Sequence, residues 1–146
     1  MKNKQGFAAG KINGKITQIY LDPSRDQKLQ DFAFPAHTKK QTLDFSKPLN
    51  EEFHPVTSLQ YNPASGILIS SGGDGIVRGW QVNEKKSVGQ VQACRQLPAY
   101  LARASANGRL VAMAWTYDYH QGSEGASKFP KESLIAIRAV ENPDFF

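Results

Sequence analysis

A glycine-rich stretch, SSGGDGIVRGW at residues 70–80, is the first place where residue types suggest chemistry, because such loops can cradle phosphate. A Walker loop requires a Lys-Ser or Lys-Thr pair that opens a helix, and a dinucleotide-binding loop also leads into a helix. Residues 76–82 instead continue as a strand pattern. Asp74-Gly75 between two strands predicts a type I′ hairpin turn, with positive φ at both central residues. We therefore interpret the loop as a turn that supports its own strands.

Catalytic and metal-binding patterns are not evident in the sequence. His37, His54 and His120 are isolated, the acidic residues are dispersed, and neither Gly-x-Ser-x-Gly nor His-Glu-x-x-His occurs. Cys94 is the single cysteine, so cysteines can form neither a disulfide framework nor a zinc site, and a reducing compartment fits best. We predict no catalytic residue, no metal and no cofactor.

The chain is basic, with a formal net charge of +5 and a pI near 9.4. This charge favours acidic partners, either a carboxylate-rich protein segment or nucleic acid. Tyr117, Tyr119 and Phe129 are the candidates for stacking on nucleic-acid bases. No apolar window approaches the ~18 residues of a membrane span, and the N-terminus lacks the apolar core of a signal peptide. We expect a soluble, intracellular protein without a membrane partner.

Short strand patterns separated by turns fill the middle of the chain. VTSLQY, ILISS and IVRGWQV, between residues 56 and 82, are rich in β-branched and aromatic residues and are bounded by Gly, Pro and Asn. No longer stretch keeps a helical apolar spacing between a cap and a terminal glycine. These patterns predict an all-β fold.

An internal repeat supports a repeated β architecture. SLQYNPASGILISSGG at residues 58–73 aligns with YLARASANGRLVAMAW at residues 100–115, an offset of 42. The aligned pairs are Leu59 with Leu101, Gly66 with Gly108, and Leu68 with Leu110. A second similarity matches Asn13-Gly14 to Asp74-Gly75.

The unit of four short strands, with Asp-Gly after the second and Trp80 on the third, resembles a WD-repeat propeller blade. This resemblance implies a partial β-propeller with about three four-stranded antiparallel blades in one domain. The blades are assigned to residues 6–36, 55–93 and 98–140 of the domain 1–146, with insertions at 37–54 and 116–132. The predicted core consists of Leu59, Leu68, Ile69, Val77, Leu110, Val111 and Ile135.

Longer segments narrow the resemblance to one family. GFAAGKINGKITQIYLDPSRDQKLQDFAFPAH, HPVTSLQYNP, SGGDG and TYDYHQG resemble the C-terminal blades of the Bub-family WD-repeat proteins of the spindle-assembly checkpoint. The sister family, the nuclear-pore mRNA-export WD-repeat factors, shares this layout. The resemblance implies a non-catalytic scaffold that binds acidic GLEBS-type segments of checkpoint kinases at kinetochores in the nucleus. The alternative is an export factor at the nuclear pore or in the cytoplasm that binds a nucleoporin segment, RNA or both.

The resemblance also assigns binding residues. One of the family's two peptide-binding arginines falls on Lys15, and the other falls on Thr38, where the neighbouring Lys39 would have to supply the charge. Lysine keeps the charge of arginine but loses its bidentate fork. We predict Lys15 and Lys39 as the peptide-binding residues.

Structural roles are predicted for the residues that build turns and blades: Asn13, Gly14, His37, Ser71, Asp74, Gly75 and Trp80. His37 aligns with the family histidine and is predicted to be buried. His54 lies too close to Val56 for the usual blade histidine, so we expect an incomplete Asp-His-Ser-Trp network, with His54 at a turn or edge.

Length distinguishes the chain from whole family members, whose propellers close with seven blades. The matched segments correspond to the last three blades. We expect two unpaired sheet edges. Three alternatives follow: the sequence is a fragment, it is an abbreviated gene product, or another chain supplies the remaining blades in trans.

Overall fold

The computed structural model describes residues 6–21, 30–40, 51–93, 97–117, 122–129 and 131–140. Strands dominate these ranges, which confirms the all-β prediction. The strands are β1 Gly6–Gly10, β2 Lys15–Tyr20, β3 Phe32–Pro35, β4 Thr38–Lys40, β5 Glu51–Phe53, β6 Val56–Tyr61, β7 Leu68–Gly72, β8 Ile76–Gln81, β9 Lys86–Gln92, β10 Ala99–Ala104, β11 Leu110–Trp115 and β12 Leu134–Ala139. In these ranges, helix is confined to a 3-10 turn at Val82–Glu84 and to α1, Gly122–Ala126. Within the described ranges, neither helix is long and apolar enough to cross a membrane.

The strands pair antiparallel into four sheets across the described ranges. The first sheet has the order β1-β2-β3, the second β6-β7-β8-β9, and the third β10-β11-β12, while β4 and β5 form a separate hairpin. The three larger sheets have the build of successive blades in a partial β-propeller. The second sheet has the expected four strands, whereas three strands are described in each of the other two.

The two predicted hairpin turns are present, but they are not of type I′. Gly14 and Gly75 have φ of +73° and +78°, and Lys85 is the one non-glycine residue with positive φ in the described ranges. The Asn and Asp before these glycines are therefore not left-handed. The Gly75 amide donates to the Gly72 carbonyl at 3.0 Å. Each turn is a three-residue loop in which a type I turn precedes a left-handed glycine.

Two apolar layers hold the three sheets together. The layer between the first and second sheets contains Ile16, Phe34, Ala36, Leu68, Trp80 and Val82. The layer between the second and third sheets contains Ile67, Ile69, Val77, Leu97, Ala99, Ala102, Val111, Met113 and Trp115. Complete burial of one such side chain stabilises the fold by ~1.5–3 kcal/mol, so stacking of the sheets is the main source of stability.

Two buried polar side chains, Ser58 on β6 and Asn62 directly after β6, set the second sheet in register with the third. The Ser58 hydroxyl accepts a hydrogen bond from the Ala102 amide at 3.0 Å. The Asn62 side chain donates to the Gly108 carbonyl at 3.0 Å. Because a buried polar group is costly without its partner, these bonds disfavour any sliding of one sheet over the other.

The predicted core is largely correct in the second sheet and wrong at two positions of the third sheet. Leu68, Ile69, Val77 and Val111 are buried, as predicted, and Leu59 is half-buried. Leu110 and Ile135 are 46% and 74% exposed, so their prediction as core residues is wrong. Both lie on the outer face of the third sheet, and neither belongs to the apolar layers found among the described residues.

A one-residue error in the repeat alignment explains Leu110. The turn after β6 is closed by the Asn62 amide and the Ile67 carbonyl, and the turn after β10 by the Ser105 amide and the Leu110 carbonyl. Leu110 is therefore the counterpart of Ile67, and the structural offset is 43 residues, since 110 minus 67 and 105 minus 62 both give 43. A slip of one residue moves a strand side chain to the opposite face.

We predict that Leu68→Ala and Leu110→Ala will differ sharply, although the sequence repeat aligns these two leucines. Leu68 is 1% exposed and Leu110 is 46% exposed. Leu68→Ala should lower the free energy of unfolding by about 2–5 kcal/mol, and Leu110→Ala by no more than about 0.5 kcal/mol. Urea denaturation of the two variants measures both values. Equal losses would contradict the burial described here.

Candidate functional site

A buried hydrogen-bonded network lies beneath the Gly72–Gly75 turn and is centred on His37. The His37 ring is completely buried; its Nδ1 lies 2.8 Å from Asp74 Oδ1 and its Nε2 lies 2.8 Å from Ser70 Oγ. The Trp80 indole donates to Ser70 Oγ at 2.8 Å. Four residues from β7, its turn, β8 and the β3–β4 junction are thereby joined.

One assignment of protons satisfies every member of this network. The Trp80 indole can only donate, so Ser70 accepts from it and gives its own proton to His37 Nε2. His37 is then neutral and donates from Nδ1 to the Asp74 carboxylate. The Asp74 carboxylate also accepts from the Ile76 amide at 3.2 Å.

Arg78 completes the charge balance of the network. Its guanidinium donates to Asp74 Oδ2 at 2.6 Å and lies 2.7 Å from His37 Nδ1. Since Nδ1 carries the proton that it donates to Asp74, it has no lone pair for Arg78. The contact between Arg78 and His37 is therefore a consequence of their shared carboxylate, and the Arg78–Asp74 ion pair is the stabilising interaction.

Burial shifts the pKa values of this network in a consistent direction. Burial lowers the pKa of His37 below its usual 6.5, against the opposing influence of Asp74, and thus favours the neutral ring. For Asp74, burial alone would raise the pKa, but hydrogen bonds from His37 and Arg78 outweigh it and lower the pKa to about 2. The network therefore holds an ionised Asp74 beside a neutral His37.

The glycines of the turn make room for this arrangement. A Cβ at Gly72 would overlap the His37 ring, and a Cβ at Gly73 would lie 2.9 Å from Pro55 Cδ. A Cβ at Gly75 would lie 2.6 Å from the Leu97 carbonyl oxygen, in addition to its φ of +78°. The glycine-rich loop thus holds a histidine where a phosphate-binding loop would hold a ligand.

The network differs in two ways from what the sequence predicted. It is complete, because His37 supplies the histidine from a position 37 residues before Asp74. Its serine is Ser70, whereas Ser71 lies on the opposite face of β7 and hydrogen-bonds to Thr57 and Ser58. The sequence led us to look for the blade histidine a few residues before β6. His37 lies further back in the sequence, because the β4–β5 hairpin is inserted between His37 and β6.

Ser70, His37 and Asp74 have the connectivity of a Ser-His-Asp catalytic triad. Ser70 is 0% exposed, however, and its oxygen already accepts the Trp80 proton. A nucleophile must reach a substrate, which this hydroxyl cannot do. Among the described residues, no group of three or more His, Cys, Asp or Glu side chains could hold a metal ion. We therefore interpret the network as one that stabilises the turn.

A second turn, Lys11–Gly14, docks against the same histidine. The Gly14 carbonyl accepts from the amides of Ala36 and His37 at 3.0 and 2.9 Å. The His37 carbonyl in turn accepts from the His54 amide at 3.0 Å, which makes His54 a loop residue outside the network. We name this part of the molecule the turn end: the Lys11–Gly14 and Gly72–Gly75 turns with His37 and His54.

The two predicted binding lysines both lie beside the turn end, Lys15 on β2 and Lys39 on β4. Lys15 is exposed, begins β2 directly after Gly14, and pairs in register with Pro35. Lys39 is exposed on the β4–β5 hairpin, two residues after His37, and lies opposite Glu52. The hydrogen bonds from Ala36 and His37 to Gly14 therefore bring the starts of β2 and β4 together.

The predicted stacking aromatics are arranged differently from a nucleic-acid platform. The rings of Tyr117 and Phe129 stack on each other with centroids 4.8 Å apart, and the Tyr117 hydroxyl donates to the Gly122 carbonyl. Each ring thus covers one face of the other. Tyr119, Cys94 and His120 lie outside the described residues.

Two residues of the site were not identified from the sequence. Arg78 lies on β8, four positions after Asp74 in the preceding turn, and the two side chains form an ion pair. The Trp115 indole donates to the Gly75 carbonyl at 2.9 Å and so connects the third sheet to the turn. Trp115, at the end of β11, is conspicuous in the sequence. Its hydrogen-bond partner Gly75 is 40 residues away, however, and local pattern does not identify it.

Comparison with known proteins gives relatives of two kinds. The chain is 26% identical over 142 residues to Protein RAE1 of Arabidopsis thaliana and covers 37% of that protein. It is 27% identical over 140 residues to Mitotic checkpoint protein BUB3.1 of the same plant and covers 37% of it. It is 27% identical over 144 residues to the mRNA export factor of Rattus norvegicus and covers 38% of it. These alignments include 97%, 94% and 96% of the present chain.

These relatives confirm the resemblance to the checkpoint and mRNA-export WD-repeat proteins. The chain spans well under half the length of the relatives it matches. No family model matches the sequence. Among solved structures, the β-propeller domain of Myceliophteria thermophila Cps50 (Swd1) aligns with a TM-score of 0.36 and 12% identity, over 75% of this chain and 44% of that one.

We predict that His37 makes stability depend on pH below its unfolded pKa. The folded pKa is lowered from 6.5, so below that pH the unfolded chain binds a proton that the folded chain does not, and stability falls with the pH. The free energy of unfolding should decrease between about pH 7 and pH 5. His37→Gln should flatten this decrease, and His54→Gln should retain it. Parallel slopes for all three proteins, measured by urea denaturation, would refute the prediction.

Gly75→Val should be more destabilising than Gly66→Val. Both glycines have φ near +75°, at +78° and +75°, but only Gly75 has a carbonyl oxygen in the path of a Cβ. Valine at Gly66 should cost only the backbone strain of about 1–3 kcal/mol. Valine at Gly75 adds the clash with Leu97, and thermal melting of the two variants compares them directly. An equal loss at both positions would mean that the turn does not contact Leu97.

Proposed function

We propose that the chain is part of a non-catalytic WD-repeat scaffold that binds an acidic peptide segment at the turn end, with Lys15 and Lys39 as the charged contacts. The observation that carries the proposal is the pair of hydrogen bonds from Ala36 and His37 to the Gly14 carbonyl. They hold two exposed lysines on one rigid end of the molecule. A carboxylate-rich segment is the partner that such an end favours.

The two lysines can supply only a small part of the binding free energy. An exposed ion pair contributes only ~0.2–1 kcal/mol, and lysine lacks the bidentate geometry of arginine. Most of the affinity must therefore come from apolar packing along the blades. We propose that further blades, supplied in trans or elsewhere in a longer protein, complete the binding face and strengthen the interaction.

The partner is proposed to be a GLEBS-type segment of a checkpoint kinase, which would act with this scaffold at kinetochores in the nucleus. The YLDPS and QKLQDFAFPAH segments favour this branch. Identity does not separate the branches, since checkpoint and export relatives match at 27% alike. The second candidate is a nucleoporin segment bound by an export factor, with a location at the nuclear pore or in the cytoplasm.

Binding of RNA has less support than binding of a peptide. The net charge of +5 remains favourable to nucleic acid. Of the three candidate aromatics, however, Tyr117 and Phe129 are stacked on each other, so neither offers two free faces to a base.

We expect a peptide with adjacent glutamates to bind the chain weakly and Lys15→Ala to raise its Kd about 1.5- to 5-fold, which corresponds to one exposed ion pair. Lys15→Glu should raise it further by repulsion. Fluorescence anisotropy of the labelled peptide measures both. Lys86→Glu is the matched control, because Lys86 is exposed and pairs with Gln81 at the end of β8 away from the turn.

Two outcomes would remove this proposal. One is equal loss of affinity in Lys15→Glu and Lys86→Glu, which would indicate a dependence on net charge alone. The other is undetectable binding both with and without an added fragment that carries further blades. Binding of single-stranded RNA that falls steeply with salt would then favour the nucleic-acid alternative.

A further inference from the structure

Ile12 is the most exposed large apolar side chain among the described residues, at 84%, and it lies at the tip of the Lys11–Gly14 turn. This turn closes through a hydrogen bond from its last amide to its first carbonyl at 3.1 Å, so Ile12 holds the second position. Gly73 holds the same position in the Gly72–Gly75 turn, which closes in the same way. The turn therefore needs no side chain at this position, and the exposed isoleucine contributes little to the fold.

Phe53 is a second exposed apolar side chain beside the same turn. It ends β5, is 48% exposed, and belongs to neither apolar layer found among the described residues. His54 follows it directly, and a Cβ at Gly14 would lie 2.9 Å from the His54 carbonyl oxygen. The Lys11 carbonyl accepts a hydrogen bond from the Val56 amide at 3.1 Å. The tip of the turn and the end of β5 therefore flank one backbone junction.

This junction lies between the first and second sheets, both of which the structure describes. The Lys11–Gly14 turn joins β1 to β2 in the first sheet, and Val56 begins β6 in the second. Ile12 and Phe53 thus belong to a junction that the chain itself completes. Neither side chain lies on the outer face of the third sheet or on the strands of the first.

Exposed lysines lie beside both apolar side chains. Those described are Lys11, directly before Ile12; Lys15, three residues after Ile12; and Lys39, directly after Thr38, the register partner of Phe53. Glu52 is an exposed carboxylate opposite Lys39, whereas the Asp74 carboxylate is already paired with Arg78. The described side chains of the junction therefore have an excess of exposed positive charge around an apolar centre, which complements a segment that is both acidic and apolar.

We propose that Ile12 and Phe53 are the apolar contacts of the binding site, and that they select an acidic segment with a bulky apolar side chain next to its adjacent glutamates. The inference rests on the peptide-binding function proposed above and adds the feature by which the peptide is selected. Glutamates alone would meet the lysines and leave both apolar side chains in water. Burial of an apolar side chain contributes more than an exposed ion pair, so this contact is a main source of affinity.

Two labelled peptides test this requirement on the unmodified chain by fluorescence anisotropy. Both carry two adjacent glutamates; the residues on either side are leucines in one peptide and serines in the other. We expect the leucine peptide to bind about 5- to 30-fold more tightly, as partial burial of one apolar side chain implies. Because the chain is the same in both titrations, a change in its folding cannot produce the difference.

Ile12→Ser and Phe53→Ser assign the preference to these two residues. Each variant should reduce the preference for the leucine peptide at least about 3-fold and leave binding of the serine peptide unchanged. Leu21→Ser and Phe7→Ser are the matched controls and should keep the full preference. Leu21 is 68% exposed just beyond the far end of β2, and Phe7 on β1 is 48% exposed, as Phe53 is. Tryptophan fluorescence verifies that each variant is folded.

The outcomes separate this inference from the function on which it rests. Equal affinity for the two peptides, or an equal loss of preference in the variants and their controls, would overturn the inference, and a loss of binding in Lys15→Glu would still support the proposed function. A leucine preference that requires Ile12 but is indifferent to Lys15→Glu would retain the apolar contacts and overturn the charged ones. Absence of binding to either peptide, with and without an added fragment that carries further blades, would overturn both.

Discussion

The hydrogen bonds of the His37 imidazole are the interaction on which the turn end depends. One nitrogen donates to Asp74 and the other accepts from Ser70, so a single buried ring ties the Gly72–Gly75 turn to the interior of β7. Its backbone extends the connection, since the His37 amide binds the Gly14 carbonyl and its carbonyl binds the His54 amide. Loss of the ring would leave a buried carboxylate and a buried hydroxyl without partners, which is more costly than the loss of one neutral hydrogen bond.

The surroundings of this network, and not its residue types alone, decide which chemistry is possible at the site. Serine, histidine and aspartate in this order of contacts are capable of nucleophilic chemistry when a substrate can approach. Here the Trp80 indole donates its hydrogen bond to the Ser70 oxygen. Burial lowers the pKa of His37, which favours the neutral ring. Rigidity is the useful property of this arrangement. It positions the start of β2 and the β4–β5 hairpin, whose exposed lysines are the proposed contacts for an acidic segment.

The same kind of apolar packing between neighbouring sheets occurs twice in the described residues. The face that carries Ile16 in the first sheet and Val77 in the second packs on the sheet that follows, through an apolar layer. Between the second and third sheets, Ser58 accepts a hydrogen bond from the Ala102 amide and Asn62 donates one to the Gly108 carbonyl, and these bonds fix the register of the two sheets. Ile135 presents the third such face to solvent, where an isoleucine gains nothing from exposure.

Local pattern alone determined the strand class, the hairpin positions at Asn13-Gly14 and Asp74-Gly75, and the burial of Leu68 and Val77, because alternation and turn residues act over a few neighbours. It could not determine which face of the third sheet is covered, since Ile135 and Val77 have the same local pattern and differ only in whether another sheet lies against them. The choice of Ser70 over Ser71, and of His37 over His54, likewise required the fold. Both depend on a contact across 33 to 37 residues, a separation at which strand periodicity carries no information about which side chains meet.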